Sequence, residues 1–187
     1  ITKIGTSAFQ SCTSLPFVEI PRSVTSIGTK AFYQCTGLIE INVSSLNTKY
    51  KSIDGVLFSI TSNSLMVYPS SKSTVSYSIP NGTIQVEQYA FYSCKYLKSI
   101  SIPNTTTGFS AYSFSTCRVL ANCYYYGKSD PQVKNTFYVC SLIKVVYVTP
   151  EYLANQFCYI NVSIIYPKTA EPSKSFTQSF PFTNSLQ

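Results

Sequence analysis

Seven cysteines, seven acidic side chains and no histidine bound the chemistry open to this 187-residue chain. Without histidine there is neither a Ser-His-Asp triad nor a Cys-His dyad. A metal site would want Cys-x-x-Cys pairs or histidine, and the chain has neither. No glycine-rich phosphate loop occurs. The only acids with a plausible common task are Glu19 and Glu40, because carboxyl groups about 5–9 Å apart can cleave glycosidic bonds. Both belong on an open strand face with no cleft to exclude water, which makes a carbohydrate-active enzyme the last alternative. The expectation is a chain without catalytic activity, cofactor or metal, acting by binding.

What positions these residues is a repeat. Ala-Phe-x-x-Cys or a close variant occurs at Phe9, Phe32, Phe91, Phe114 and Phe137, with Cys12, Cys35, Cys94, Cys117 and Cys140 three residues later. The step is 23 residues, except between Phe32 and Phe91, where 59 residues make two periods plus 13. Ile4 and Ile27 precede the motif. Leu15, Leu38, Leu97, Leu120 and Ile143 follow it, and then come Val18 with Ile20, Ile41 with Val43, Ile100 with Ile102, and Val146 with Val148. Apolar residues at Leu-x-x-Ile-x-Ile spacing within a period of 20–29 define a leucine-rich repeat solenoid. One coil cannot bury its own apolar face, so the core forms only by stacking.

Stacking places the five motif cysteines in one column, about 4.8 Å apart at strand spacing. Parallel side chains at that distance keep their Cβ atoms beyond the 3.5–4.5 Å a disulfide needs. Buried free thiols are expected, behaving as small apolar groups beside a turn. Cys123 falls on a strand column and Cys158 outside the phase; both are read as packed, with a reactive or intermolecular thiol as the other option.

Each coil reads as a short parallel strand, a turn that often carries Ile-Pro, a second extended piece, and a helical or 3-10 turn bearing the motif. Within Val18-Glu19-Ile20 and Ile100-Ser101-Ile102 the outer residues point inward and the middle one is exposed. Between Ser44 and Ser78 the period fails. An inserted hairpin is expected there, from Ile53-Asp54-Gly55-Val-Leu-Phe58 and Leu65-Met-Val-Tyr68-Pro69, continuing the sheet. The repeat domain is expected over 1–167, with its insertion at about 47–78. Residues 168–187 lose the pattern and read as a flexible Ser/Thr/Pro linker.

The phrase Ser-Ile-Gly-x-x-Ala-Phe-x-x-Cys-x-x-Leu-x-x-Ile-x-Ile-Pro, spread over Thr25 to Val43 and Glu87 to Pro103, resembles the BspA-type leucine-rich repeat. Ser52-Ile-Asp-Gly-Val-Leu-Phe58 and Val146-Tyr-Val-Thr-Pro-Glu-Tyr152 resemble variant units found in such proteins of mucosal protist parasites, and the likeness runs from Ile1 to about Pro167. The resemblance implies surface proteins that adhere to host cells, matrix or other microbes, with a long array followed by a linker and a membrane anchor. Ser113 in place of alanine, Asn135-Thr136 before Phe137, and the loss of Ile-Pro after Cys117 depart from the pattern.

The outward strand columns read Glu19, Asn42, Ser78, Ser101, Tyr124, Tyr147 and Phe17, Glu40, Ser76, Ser99, Asn122, Val145. Tyr124, Tyr126 and Tyr147, with Asn122, Ser99 and Ser101, are the candidate ligand contacts, because tyrosine offers flat amphipathic area with few rotors. Net charge is +7, from 14 Lys and Arg against 7 acids, with no basic run, so nucleic acid is not an expected partner. Lys95, Lys98, Arg118 and Lys144 gather once the coils stack and are candidate contacts for anionic glycans. Sequons at Asn42, Asn81, Asn104 and Asn161 are candidate glycosylation sites.

Charged residues make up only 11% of the chain and the hydrophobic content is 44%. This suits an extracellular module, and the resemblance implies a cell-surface location with host or matrix proteins or glycans as partners. The chain starts inside a repeat without initiator Met or signal peptide, and no apolar stretch is long enough to span a membrane. Any membrane contact is therefore expected through an anchor outside these residues. An intracellular repeat scaffold for protein assembly is the alternative.

Overall fold

A computed structural model describes residues 1–165; the expected linker at 168–187 lies outside the described residues. The strands in chain order are β1 (Lys3–Ile4), β2 (Phe17–Ile20), β3 (Ser26–Ile27), β4 (Glu40–Val43), β5 (Tyr50–Ile53), β6 (Val56–Ser59), β7 (Ser64–Val67) and β8 (Ser76–Ser78). They continue as β9 (Gln85–Val86), β10 (Ser99–Ile102), β11 (Gly108–Phe109), β12 (Asn122–Tyr125), β13 (Val146–Val148), β14 (Gln156–Phe157) and β15 (Ile160–Ile164). They wind as about six turns of a β-solenoid.

The 23-residue period is the register of the fold. Ser99, Ile100 and Ser101 pair in parallel with Asn122, Cys123 and Tyr124, and Phe17 through Ile20 pair with Glu40 through Val43. One period therefore moves a side chain onto the next rung without changing its direction. Motif phenylalanines consequently stack face to face. Centroid distances are 5.4 Å for Phe9–Phe32, 4.7 Å for Phe91–Phe114 and 5.1 Å for Phe114–Phe137, all within 20° of parallel. Leu97, Ile100, Ile102, Leu120 and Val146 fill the interior beside this ladder, fully buried.

The expected helical turns are absent among the described residues. Each motif instead folds as consecutive β-turns, with positive φ recurring two residues before and two after the phenylalanine: Ser7 and Ser11, Lys30 and Gln34, Tyr89 and Ser93, Tyr112 and Thr116, Asn135 and Val139. Ala8 N–H donates to Gly5 C=O and Cys12 N–H to Phe9 C=O, so positive φ falls at the third turn residue, as in a type II turn. A β-turn also brings residues i and i+3 together, and so satisfies the Phe-x-x-Cys spacing that suggested a helix. Left-handed backbone costs a side-chain-bearing residue about 1–2 kcal/mol. Bonds between coils oppose that cost: Ser7, Phe9 and Ser11 N–H donate to Thr29, Ala31 and Tyr33 C=O at 2.8–3.0 Å.

The coils approach closely at Gly28, where an added Cβ would lie 2.4 Å from Thr6 N and 2.7 Å from Gly5 C. Both are backbone atoms and cannot swing aside. Gly28→Ala is therefore expected to destabilise the amino-terminal coil by about 1–3 kcal/mol, the range of overpacking costs. Thermal unfolding followed by circular dichroism measures the change, and an unaltered midpoint would contradict this packing.

The insertion differs from expectation in two ways. It is a three-stranded antiparallel run, β5-β6-β7, rather than one hairpin, and it does not continue the β2–β4 sheet. β7 pairs instead with β9, giving a sheet ordered β11-β9-β7-β6-β5, separate from the sheet ordered β14-β15-β13-β12-β10-β8. The phase also returns earlier than Ser78. Tyr68 stands 23 residues before Phe91, stacks on it at 5.0 Å, and donates its N–H to Ala90 C=O at 2.7 Å. Tyr68 takes the phenylalanine place in the third coil, a substitution that conceals the repeat. β6 is buried on both faces: Leu57 packs with the first two coils, Val56 and Phe58 with the later ones.

Candidate functional site

The cysteine column forms as expected, and all seven cysteines are free. Its thiols also complete the backbone bonding of the turns. Sγ of Cys35, Cys117 and Cys140 donates to the C=O of Phe9, Phe91 and Phe114, one coil earlier, at 2.9, 2.6 and 2.7 Å. Cysteine thus supplies a small apolar body and one weak donor at a carbonyl that faces the interior. Burial holds the Cys117 and Cys123 thiols well above the ordinary range. For Cys140 the hydrogen bond to Cys117 raises it most, followed by burial. Cys158 is pushed up to about 11, chiefly by burial. Cys12, in the first coil, is only half-buried. Among the described residues no group of three or more His, Cys, Asp or Glu side chains could hold a metal ion.

Glu19 faces Asn42 across the strand pair and Glu40 faces Phe17, so the two carboxylates are diagonal rather than opposite. Glu19 is exposed and Glu40 half-buried, packed over Gly55. Neither lines the two clefts, of about 270 and 160 Å³, described in this structure.

The proposed strand face is contiguous. β8, β10, β12 and β13 bring Ser78, Ser101, Tyr124 and Tyr147 into one row, and Ser76, Ser99 and Asn122 into the next. Tyr124 and Tyr147 stack at 5.1 Å and 22°. Both rings are half-buried, as are Tyr126 and Asn122. Ser99 and Ser101 correct the expected alternation: at 7% and 9% exposure they are buried along with Ile100 and Ile102. The Tyr126 hydroxyl hydrogen-bonds the Ser101 side chain, and Ser99 Oγ is enclosed without a partner. Aromatic neighbours one rung away shade a short serine, a tertiary effect that period-two alternation does not contain.

Lys95, Lys98, Arg118 and Lys144 are all exposed, as are the four sequon residues Asn42, Asn81, Asn104 and Asn161. Asn81 and Asn104 are one period apart at the corner after a proline. There Thr106 Oγ1 donates to Thr83 C=O and Gly82 N–H donates to Thr105 Oγ1.

A second aromatic row, on the turn side, was not foreseen. Tyr33 contacts Tyr89 at 4.4 Å and Tyr92 at 4.8 Å; Tyr89 stacks on Tyr112 at 5.7 Å, and Tyr112 meets Tyr138 at 5.5 Å. Lys30 Nζ lies 5.7 and 5.5 Å from the Tyr33 and Tyr89 centroids. The signal was available in the sequence: Tyr33, Tyr92 and Tyr138 each follow a motif phenylalanine, and Tyr89 and Tyr112 each precede one by two.

Stacked coils, a parallel short-strand face and an interior ladder define a leucine-rich repeat protein. The chain belongs to the BspA-type leucine-rich repeat family, whose model matches six copies over residues 1–77 and 67–185. Among solved structures it is similar to a leucine-rich cell surface protein of Faecalibacterium prausnitzii A2-165, with TM-score 0.65 and 25% identity over 81% of this chain and 46% of the other. A leucine-rich repeat protein of Eubacterium ventriosum ATCC 27560 gives TM-score 0.54 and 24% identity over 81% and 49%. The pneumococcal vaccine antigen PcpA gives 0.50 and 20% over 75% and 47%. The chain thus spans just under half of each of these structures. No curated protein sequence matches it.

Proposed function

We propose that this chain is a non-catalytic, surface-located adhesion or protein-binding module. On this reading Tyr124, Tyr126 and Tyr147, with Asn122 beside them, contact host or matrix proteins or glycans, while the buried Ser99 and Ser101 support the rings from beneath. The observation that carries the reading is the stacked Tyr124–Tyr147 pair on a strand face free of charged side chains in its own rows. Solenoids bind through extended surfaces of this kind, and half-buried tyrosines ordered by a rung neighbour lose little entropy on contact. The likeness to a protein described as a cell surface protein supports the location. Exposed Lys95, Lys98, Arg118 and Lys144 add attraction for anionic glycans, felt as salt dependence. Exposed Asn42, Asn81, Asn104 and Asn161 are the proposed glycosylation sites.

Replacing Tyr124, Tyr126 and Tyr147 together by alanine is expected to weaken binding to host cells or matrix at least about 30-fold, given hot-spot losses of about 2 kcal/mol or more. Circular dichroism verifies the fold of the variant. Undiminished adhesion by a folded triple variant would remove this face as the site.

A further inference from the structure

The turn-side ladder has a missing rung. In the first coil Ser7, Phe9 and Ser11 donate their N–H groups to the second coil. One period later, the N–H groups of Lys30, Phe32 and Gln34 donate to no backbone carbonyl among the described residues. The cause is a two-residue deficit in the third coil. β7 pairs with β9 at an offset of 21 residues (Ser64↔Gln85), whereas Tyr68 matches Phe91 at 23. Met66 and Val67 thus stand where the fourth coil has Glu87 to Ala90, and the corner that should meet Lys30 and Phe32 is cut off.

The result is a cleft of about 270 Å³ between the second and fourth coils, lined by Thr29, Lys30, Phe32, Val67, Gln88 and Tyr89 among others. Tyr33 bridges its outer side to Tyr89 and Tyr92, and Gln34 Nε2 reaches Tyr92 Oη at 3.4 Å. Across the gap, Gln88 C=O accepts no backbone hydrogen bond among the described residues, although Thr29 C=O, its equivalent in the second coil, accepts one from Ser7 N–H.

We propose that this cleft accepts an extended peptide segment of a partner protein as a substitute rung, a site separate from the strand face. Lys30 and Phe32, whose N–H groups on alternate residues lack a backbone acceptor, line one side of the cleft and Gln88 lines the other, and donors on alternate residues opposite an acceptor complement an extended backbone. The volume lies just below the 300–1,000 Å³ of drug-sized pockets and suits a few backbone units. Lys30 and Glu87 contribute opposite charges to the lining, so the geometry points to an uncharged polar peptide rather than an anion.

The test uses ¹⁵N-labelled chain and the probe acetyl-Thr-Val-Thr-Val-Thr-amide. Without peptide, the amides of Lys30, Phe32 and Gln34 should exchange with solvent at least tenfold faster than those of Ser7, Phe9 and Ser11. Saturating peptide should slow the three at least tenfold. Of two probes N-methylated at alternate residues, one should bind at least tenfold more weakly, because it loses the donor to Gln88 C=O. Inserting Gly-Ser between Met66 and Val67, which restores the corner length, should abolish the effect. Unchanged exchange with peptide, or equal binding by the parent and both methylated probes, would overturn the proposal. Alanine at Tyr124, Tyr126 and Tyr147 should leave this exchange pattern intact, so the two sites fail or stand separately.

Discussion

Phe114→Ala lowers stability by about 3–5 kcal/mol, the range for removing a buried phenylalanine. Phe114 is fully buried and stacks on Phe91 at 4.7 Å and on Phe137 at 5.1 Å, so one truncation opens a cavity and breaks two rung contacts. In a solenoid, stability is approximately a sum of coil and nearest-neighbour interface contributions, and an interior coil carries two interfaces. At about 2–4 °C per kcal/mol for a chain of this length, the melting midpoint falls by roughly 6–20 °C. Phe9→Ala is the internal comparison. Phe9 is half-buried with one stacking neighbour, and its loss must be the smaller. Equal effects at the two positions would mean that the rungs do not share a ladder.

Alkaline pH produces the second large effect. Burial raises the Cys117, Cys123, Tyr68, Tyr77 and Tyr152 ionisations; it pushes Cys158 up to about 11 and Tyr125 up to about 12. The unfolded chain releases thiol protons near 8.5 and phenol protons near 10, while the folded chain retains them. The folded state then binds more protons, so stability falls as pH rises. The stabilisation is complete below about pH 8.5 and is lost progressively towards pH 11–12. Denaturant midpoints at pH 7, 9 and 10.5 should decrease in that order. A midpoint at pH 10.5 equal to that at pH 7 would show that these groups titrate alike in both states.

The fold was legible in the sequence because a solenoid turns sequence period directly into register. Val18, Ile41, Ile100, Cys123 and Val146 sit where a 23-residue step puts them. The nature of the turn was not legible, since Phe-x-x-Cys spacing fits a β-turn as well as a helical turn, and left-handed backbone at Lys30 or Val139 has no local signature. The third coil is hidden in the sequence because Tyr68 replaces phenylalanine and two residues are missing before it, so phase and motif fail together. The tyrosine row of the strand face was visible as a column, whereas the burial of Ser99 and Ser101 depends on neighbouring rungs. Tyr33, Tyr89 and Tyr92 converge only because the intervening coil is short, a three-dimensional consequence of a local deletion.

Thiol labelling tests the stacked interior most directly. Iodoacetamide at pH 8 needs a thiolate with access to solvent. In the native chain Cys12 alone should be modified at an appreciable rate, and Cys35, Cys94, Cys117, Cys123, Cys140 and Cys158 should remain unmodified until denaturant exposes all seven. Modification of Cys94, Cys117 and Cys140 in native buffer as fast as in denaturant would contradict the account, because those side chains would then lie at the surface rather than between the coils.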